Sequence, residues 1–351
     1  MSAIHATPGT PGAPLLTVRD LHVDYFDQDN PVHAVRGVDL TLRRGETLGI
    51  VGESGCGKST LVTAMTRLER PPAVTTAGSV ILHGHDGADN TDILRLTERQ
   101  LAALRWEKVA IVFQSAMNAL NPVLRLGTQF ADVLRKHRGL SKKEAWERAG
   151  ELLGMVGIPA DRLRSYAHEL SGGMRQRATI ALALACEPDL VVMDEPTTAV
   201  DVVMQRQILR QVARLKRELG FSVVFITHDL SLLIEIADRI AVMYAGKIVE
   251  TGPPRRLYED PQHPYTTALR GAFPPLHGER REITGIPGSP PGLRTPPPGC
   301  SFHPRCAHRM DACDREEPLL LQLGDAGDVA CHLHRHPATT TPEAEDRHAR
   351  T

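Results

Sequence analysis

The sequence predicts an α/β fold. A mixed sheet, antiparallel in its N-terminal strands and parallel in its centre, carries an inserted helical subdomain and a small metal-binding C-terminal module. Three observations carry this prediction. Residues 16–25 and 35–43 alternate apolar and polar positions, as half-buried antiparallel strands do. Residues 47–51, 190–193 and 222–227 are apolar without alternation, which suits parallel strands covered on both faces. Between the first of these runs and a helical stretch lies a glycine-rich loop, 52–59.

The elements follow in order. The helix opened by the loop is expected to run to residue 69, before Pro71 and Pro72. From residue 92 to about 163 the chain turns amphipathic and helical, notably over 125–138 and 141–156, where Ser141 and Glu144 have capping-box spacing. A helix over 201–219 ends at Gly220, and a hairpin over 240–251 turns at Ala245-Gly246. A proline-rich linker, 285–298, then leads to four cysteines, Cys300, Cys306, Cys313 and Cys331.

Composition narrows the function. The 351 residues hold 41 Lys and Arg against 42 Asp and Glu, a formal net charge of -1, so no basic field favours nucleic acid. The first 14 residues have neither the basic start nor the apolar core of a signal peptide, so a cytoplasmic location is expected. The longest apolar run, 178–186, is about half of a membrane span, so membrane contact is expected only through partners. In a reducing compartment six cysteines read as buried thiols or metal ligands rather than disulfides.

Gly52, four intervening residues, Gly57, Lys58 and Ser59 fit the P-loop pattern. Backbone N–H groups and a helix N-terminus cradle phosphate there, Lys58 neutralises it, and the Ser59 hydroxyl coordinates Mg²⁺. Ser54, Gly55, Cys56 and Thr60 complete the nucleotide-binding stretch, with Cys56 a small filler rather than a metal ligand. The apolar run 190–193 ends in Asp194 and Glu195: Asp194 would hold Mg²⁺ through water, and Glu195 would polarise the attacking water. Gln114, closing the run 109–113, can contact both Mg²⁺ and that water, and His228, closing 223–227, can hold the γ-phosphate.

Ser171, Gly172 and Gly173 open a further helix and form a second anion-binding terminus that lacks a lysine. A single nucleotide does not need two. At this point the sequence resembles the ATP-binding-cassette family, over roughly residues 16–275. The resemblance makes Tyr25 the adenine-stacking aromatic and places Asp201 in the loop through which two subunits communicate. It implies that ATP is sandwiched between the P-loop of one chain and Ser171–Gly173 of another. The signature's fifth position is Met174 where Gln is commonest.

Three stretches resemble the ATPases of dipeptide and oligopeptide importers: 114–122, 257–266 and 288–306. Ser115-Ala116 stand where those proteins usually have Asp-Pro. The resemblance implies two permease subunits, a second ATPase chain (a paralogue or a second copy) and an extracytoplasmic solute-binding protein, with the chain at the cytoplasmic face of the membrane. A nickel importer, a soluble cassette acting on nucleic acid and a P-loop kinase are the alternatives. The expected division is a tail (1–14), an ATPase domain (15–275, its helical subdomain about 92–175), the linker and four-cysteine module (276–336) and a second tail (337–351).

The cysteine spacings of five, six and seventeen residues match neither paired zinc knuckles nor common ferredoxins. By resemblance to the peptide-importer ATPases the four ligate a [4Fe–4S] cluster; Zn²⁺ and unliganded or disulfide-paired thiols stay open. His303, His308, His332 and His334 keep a mixed Cys/His zinc site in view. With few large apolar side chains in this stretch, a metal centre is expected to hold it folded.

Overall fold

The computed structural model describes residues 12–26, 30–84, 89–113, 119–196, 201–272, 285–324 and 327–334. Strands β1 (Pro14–Tyr25) and β2 (Val32–Arg43) pair antiparallel, and β4 (Ala73–Leu82) and β5 (Thr91–Asp92) extend them into a four-stranded sheet. β3 (Thr47–Val51) lies in the second sheet and leads into α1 (Lys58–Met65). Helix α2 (Glu98–Glu107), strand β6 (Val109–Val112) and helices α3 (Leu126–Arg138), α4 (Lys142–Met155) and α5 (Gly172–Ala183) come next.

The chain continues with β7 (Leu190–Asp194), α6 (Val202–Leu219), β8 (Ser222–Thr227), α7 (Leu230–Ile236), and the hairpin β9 (Arg239–Tyr244) and β10 (Lys247–Gly252). Helices α8 (Pro254–Glu259) and α9 (Pro264–Gly271) and two short strands, β11 (Leu321–Gln322) and β12 (Asp328–Val329), complete it. The second sheet runs β11-β12-β10-β9-β3-β8-β7-β6, parallel from β9 to β6 and antiparallel beyond β9.

Burial explains why the central strands lack alternation. In β8, Val223 and Phe225 enter one hydrophobic core while Val224 and Ile226 enter the other. β7 divides the same way, Val191 and Met193 against Leu190 and Val192. One core holds the helices α3 to α5; the other holds α1 and the four-stranded sheet. Positions 190–193 and 223–226 are therefore all apolar, because neither face of these strands meets water.

Several expectations hold in detail. Ser141 and Glu144 form a capping box at α4, and Gly220 ends α6 with φ 77°. Ala245 and Gly246, φ 47° and 82°, turn the β9–β10 hairpin. Others shift. The N-terminal antiparallel strands form a sheet of their own instead of the start of the central one.

Helix α1 stops at Met65, short of residue 69. Arg67 adopts φ 51° while its N–H reaches the carbonyl of Ala64 at 3.0 Å and that of Leu68 reaches Thr63 at 2.7 Å. That paired pattern closes a helix without the usual glycine, so no glycine marked the end. Within 92–175, β6 belongs to the edge of the central sheet, paired with β7, so that stretch is not wholly a helical insertion.

The C-terminal residues complete the central sheet, since β12 pairs with β10. Phe302, 3% exposed, packs edge-on against Tyr244 and Tyr265 with centroids 5.3 and 5.4 Å away. Ladder pairing and this aromatic cluster therefore anchor the module, beyond any metal. Among the described residues no helix is long and apolar enough to cross a membrane.

Candidate active site

Two glycines let the loop after β3 lie against the strands behind it. A Cβ on Gly52 would sit 2.1 Å from the carbonyl oxygen of Met243, and one on Gly57, φ 104°, 2.1 Å from that of Ala34. Gly55 has φ 79° but open space, on the exposed side of the loop. Gly57 gives α1 no side-chain cap, which leaves first-turn N–H groups for an anion. Lys58, 6% exposed, donates from Nζ to the carbonyls of Gly52 (2.7 Å) and Glu53 (2.9 Å), with Cys56 Sγ at 3.7 Å. Burial raises the Cys56 pKa, so this thiol stays protonated and acts as filler.

The second half of the site comes from the ends of β7 and β8. Ser59 Oγ donates to Asp194 Oδ1 at 3.1 Å. Asp194 is buried, which raises its pKa; the Ser59 hydrogen bond opposes that shift and neighbouring Glu195 adds to it. Glu195 turns left-handed, φ 44°, while its N–H reaches Ile226 at 3.0 Å. A non-glycine residue there is strained, as site residues often are. The turn brings its carboxylate to His228, whose Nδ1 donates to Oε1 at 3.3 Å. The His228 side chain is 56% exposed and that of Glu195 16%, so imidazole faces solvent while carboxylate is tucked beneath.

Tyr25, at the end of β1, shares a 3.0 Å hydrogen bond with Thr60 Oγ1. The structure thus joins Tyr25, Thr60, Lys58, Ser59, Asp194, Glu195 and His228 around one loop and three strand ends. Gln114 and residues 198–200 lie outside the described residues. Ser171 is exposed and caps α5 through the Met174 N–H at 3.3 Å, Gly172 opens that helix, and Gly173 packs against Met204. Among the described residues, the hydrogen bonds of Ser171 and Gly173 run to α5 itself. Asp201 caps α6 through the Met204 N–H at 2.9 Å. Sequence reasoning overlooked Glu53 and Arg305, because an ion pair between a loop and a distant tail leaves no local pattern.

The fold draws the four distant cysteines together. Cys300 N–H donates to the carbonyl of Cys313 at 2.9 Å, and the Cys300 thiol feels those of Cys313, Cys331 and Cys306. Burial pushes the Cys300 and Cys331 thiols up to about 11. No disulfide joins them. The donor chemistry suits a thiolate-bound metal, yet among the described residues no group of three or more His, Cys, Asp or Glu has metal-holding geometry. The expected [4Fe–4S] or Zn²⁺ centre is therefore not supported by this placement.

Residues 35–198 match the ABC transporter family, and residues 249–313 match the C-terminal region of oligopeptide/dipeptide transporters. The chain is 44% identical over 322 residues to the dipeptide transport ATP-binding protein DppD of Bacillus subtilis, covering 91% of this chain and 94% of that protein. The chain belongs to the ABC transporter ATPases. This ATPase is also 45% identical over 311 residues to the oligopeptide transport ATP-binding protein OppD of Salmonella typhimurium, covering 88% and 91% respectively. In three dimensions it matches the ATP-binding cassette MJ0796, solved as a dimer in a post-hydrolysis state with ADP and phosphate. That match has a TM-score of 0.60 and 29% identity over 69% of this chain and 99% of that one.

ATP hydrolysis by this family uses Mg²⁺. The donors present fit it: the Ser59 hydroxyl already meets the buried Asp194 carboxylate, whose desolvated charge a cation would relieve.

Proposed function

We propose that this chain is the ATP-hydrolysing subunit of an importer of dipeptides or oligopeptides. It would work at the cytoplasmic face of the membrane through two permease subunits, fed by an extracytoplasmic solute-binding protein. The observation that carries the cargo is the match of residues 249–313 to the C-terminal region of oligopeptide/dipeptide transporters.

ATP would place its β- and γ-phosphates on the loop N–H groups and the uncapped first turn of α1, with Lys58 turning from the Gly52 and Glu53 carbonyls to the phosphate. Tyr25 would leave Thr60 and stack on adenine. Ser59, Gln114 and, through water, Asp194 would hold Mg²⁺, which neutralises charge on the phosphate oxygens. Glu195 would accept the proton of the attacking water while His228, held by Glu195, fixes the γ-phosphate.

Exposed Ser171 and its helix terminus would complete the ATP site of a second ATPase chain, with Asp201 beside that interface. Residues 15–275 would form the ATPase domain, its helical part about 92–175, and 276–336 the linker and cysteine module, between tails 1–14 and 337–351.

Reconstitution with the permeases and binding protein in vesicles tests the reading: ATP should drive peptide accumulation, and Glu195→Gln should stop it. Accumulation of nickel in place of peptide would overturn the cargo. As a finer part of the proposal, the four cysteine thiols, near one another but without metal-holding geometry as placed, would ligate a centre once it is loaded. Protein isolated without oxygen should then carry about four iron per chain and absorb near 400 nm. Stoichiometric zinc in a colourless protein would replace the cluster, and metal-free thiols would discard both.

A further inference from the structure

One residue of the P-loop, Glu53, is held at all three of its polar groups, two of them by the C-terminal region. Its N–H donates to the hydroxyl of Tyr265 at 2.9 Å. Its carboxylate takes both arms of the Arg305 guanidinium, Nη1 to Oε2 at 2.7 Å and Nη2 to Oε1 at 3.1 Å. Its carbonyl accepts from Lys58 Nζ at 2.9 Å. The conformation of Glu53 therefore sets where the lysine ammonium and the neighbouring loop N–H groups stand.

Both grips are rigid. Tyr265 is fully buried near the start of α9, its N–H tied to Nδ1 of His263 at 3.0 Å. Arg305 keeps 6% of its side chain exposed; its Nε donates to Pro287 at 2.7 Å and its guanidinium lies 5.9 Å from the Tyr244 ring centre. Phe302, packed on both Tyr244 and Tyr265, joins the two grips into one body. A two-armed arginine–carboxylate contact shielded from water fixes geometry as well as charge. Both residues meet the P-loop through hydrogen bonds to Glu53, which gives them a route to the nucleotide site.

We propose that Tyr265 and Arg305 are positioning residues for ATP: together they clamp Glu53 and hold the P-loop in its phosphate-binding conformation. This rests on the nucleotide-site assignment made above. It also gives residues 249–313 a task at the ATP site, and because Arg305 adjoins Cys306, the packing of the cysteine module bears directly on that task.

Titrating the full-length chain with a fluorescent ATP analogue tests the clamp. Tyr265→Phe removes only the accepting oxygen, Arg305→Lys keeps charge but loses the fork, and Glu53→Gln removes the carboxylate charge. Each should weaken binding about tenfold, with melting temperature shifted by only a few degrees. Glu53→Gln combined with Arg305→Lys should lose no more than the worse single change, since both break one contact. Full affinity in Tyr265→Phe and Arg305→Lys, even with a lowered melting temperature, overturns the proposal, and so do additive losses in the pair. Lys58→Ala separates the layers. Full affinity in that variant sinks the site assignment; lost affinity there with full affinity in the two clamp variants sinks the clamp alone.

Discussion

His228 Nδ1 lies 3.3 Å from Glu195 Oε1, although 33 residues separate the two in sequence. The contact exists because Glu195 leaves β7 in a left-handed conformation, which turns its carboxylate toward the end of β8. Glu195→Gln keeps this shape while removing the base. ATP turnover should fall about 100- to 10,000-fold with ATP binding kept. Chromatography with ATP should show more dimer; unchanged turnover would exclude Glu195 as the base.

Asp194 has its pKa raised by burial above the ordinary 3.8. The folded chain thus keeps this proton at a pH where the unfolded chain has lost it, so stability declines as pH rises from 3.8 through the raised folded value. Asp194→Asn should flatten that slope and raise the melting temperature of the nucleotide-free chain at neutral pH. It should also cancel the extra stabilisation by Mg²⁺ with ATP. Melting curves across pH, with and without Mg²⁺ and ATP, check both; an unaltered slope would remove Asp194 as its source.

The loop glycines differ in what surrounds them. Gly57→Ala drives a Cβ to 2.1 Å from the Ala34 carbonyl at a strained φ, and should cost about 3 kcal/mol or more. Gly55→Ala meets nothing within 4 Å and should cost only the left-handed penalty, about 1–2 kcal/mol. Urea unfolding measures the two. Equal losses would mean that backbone conformation, not the close approach to β2, decides.

Ser171 is exposed, and among the described residues its hydrogen bonds run only to the first turn of α5. Ser171→Arg should therefore leave ATP binding by the single chain intact and lower turnover of the assembled dimer at least 100-fold, about the loss of one oxyanion-type donor. Equilibrium binding beside steady-state turnover separates these. Weakened binding in the isolated chain would contradict a site completed by a second subunit.

The local parts of this molecule were legible because their physics is local. A loop that must let phosphate reach its backbone writes glycines at fixed offsets, as at Gly52 and Gly57. A parallel strand with no wet face carries an unbroken apolar run, as at 48–51 in β3, 190–193 in β7 and 223–226 in β8. Polar side chains at such strand ends, Asp194, Glu195 and His228, could be marked without coordinates. So could the Ser141 cap of α4, where a hydroxyl satisfies a helix N–H group, and the Gly220 end of α6.

Tertiary structure decided what depends on distant residues meeting. The end of α1 rests on backbone hydrogen bonds around Arg67, which no side chain announces. The separate four-stranded sheet follows from β1 choosing β4 as its second partner, and a strand's alternation does not name its neighbour. Cys300 and Cys331 converge only because β12 docks on β10 and Phe302 packs into the Tyr244–Tyr265 cluster. The grip of Arg305 and Tyr265 on Glu53 is of the same kind: complementary charge and shape identify partners only once the backbone has brought them within hydrogen-bond reach.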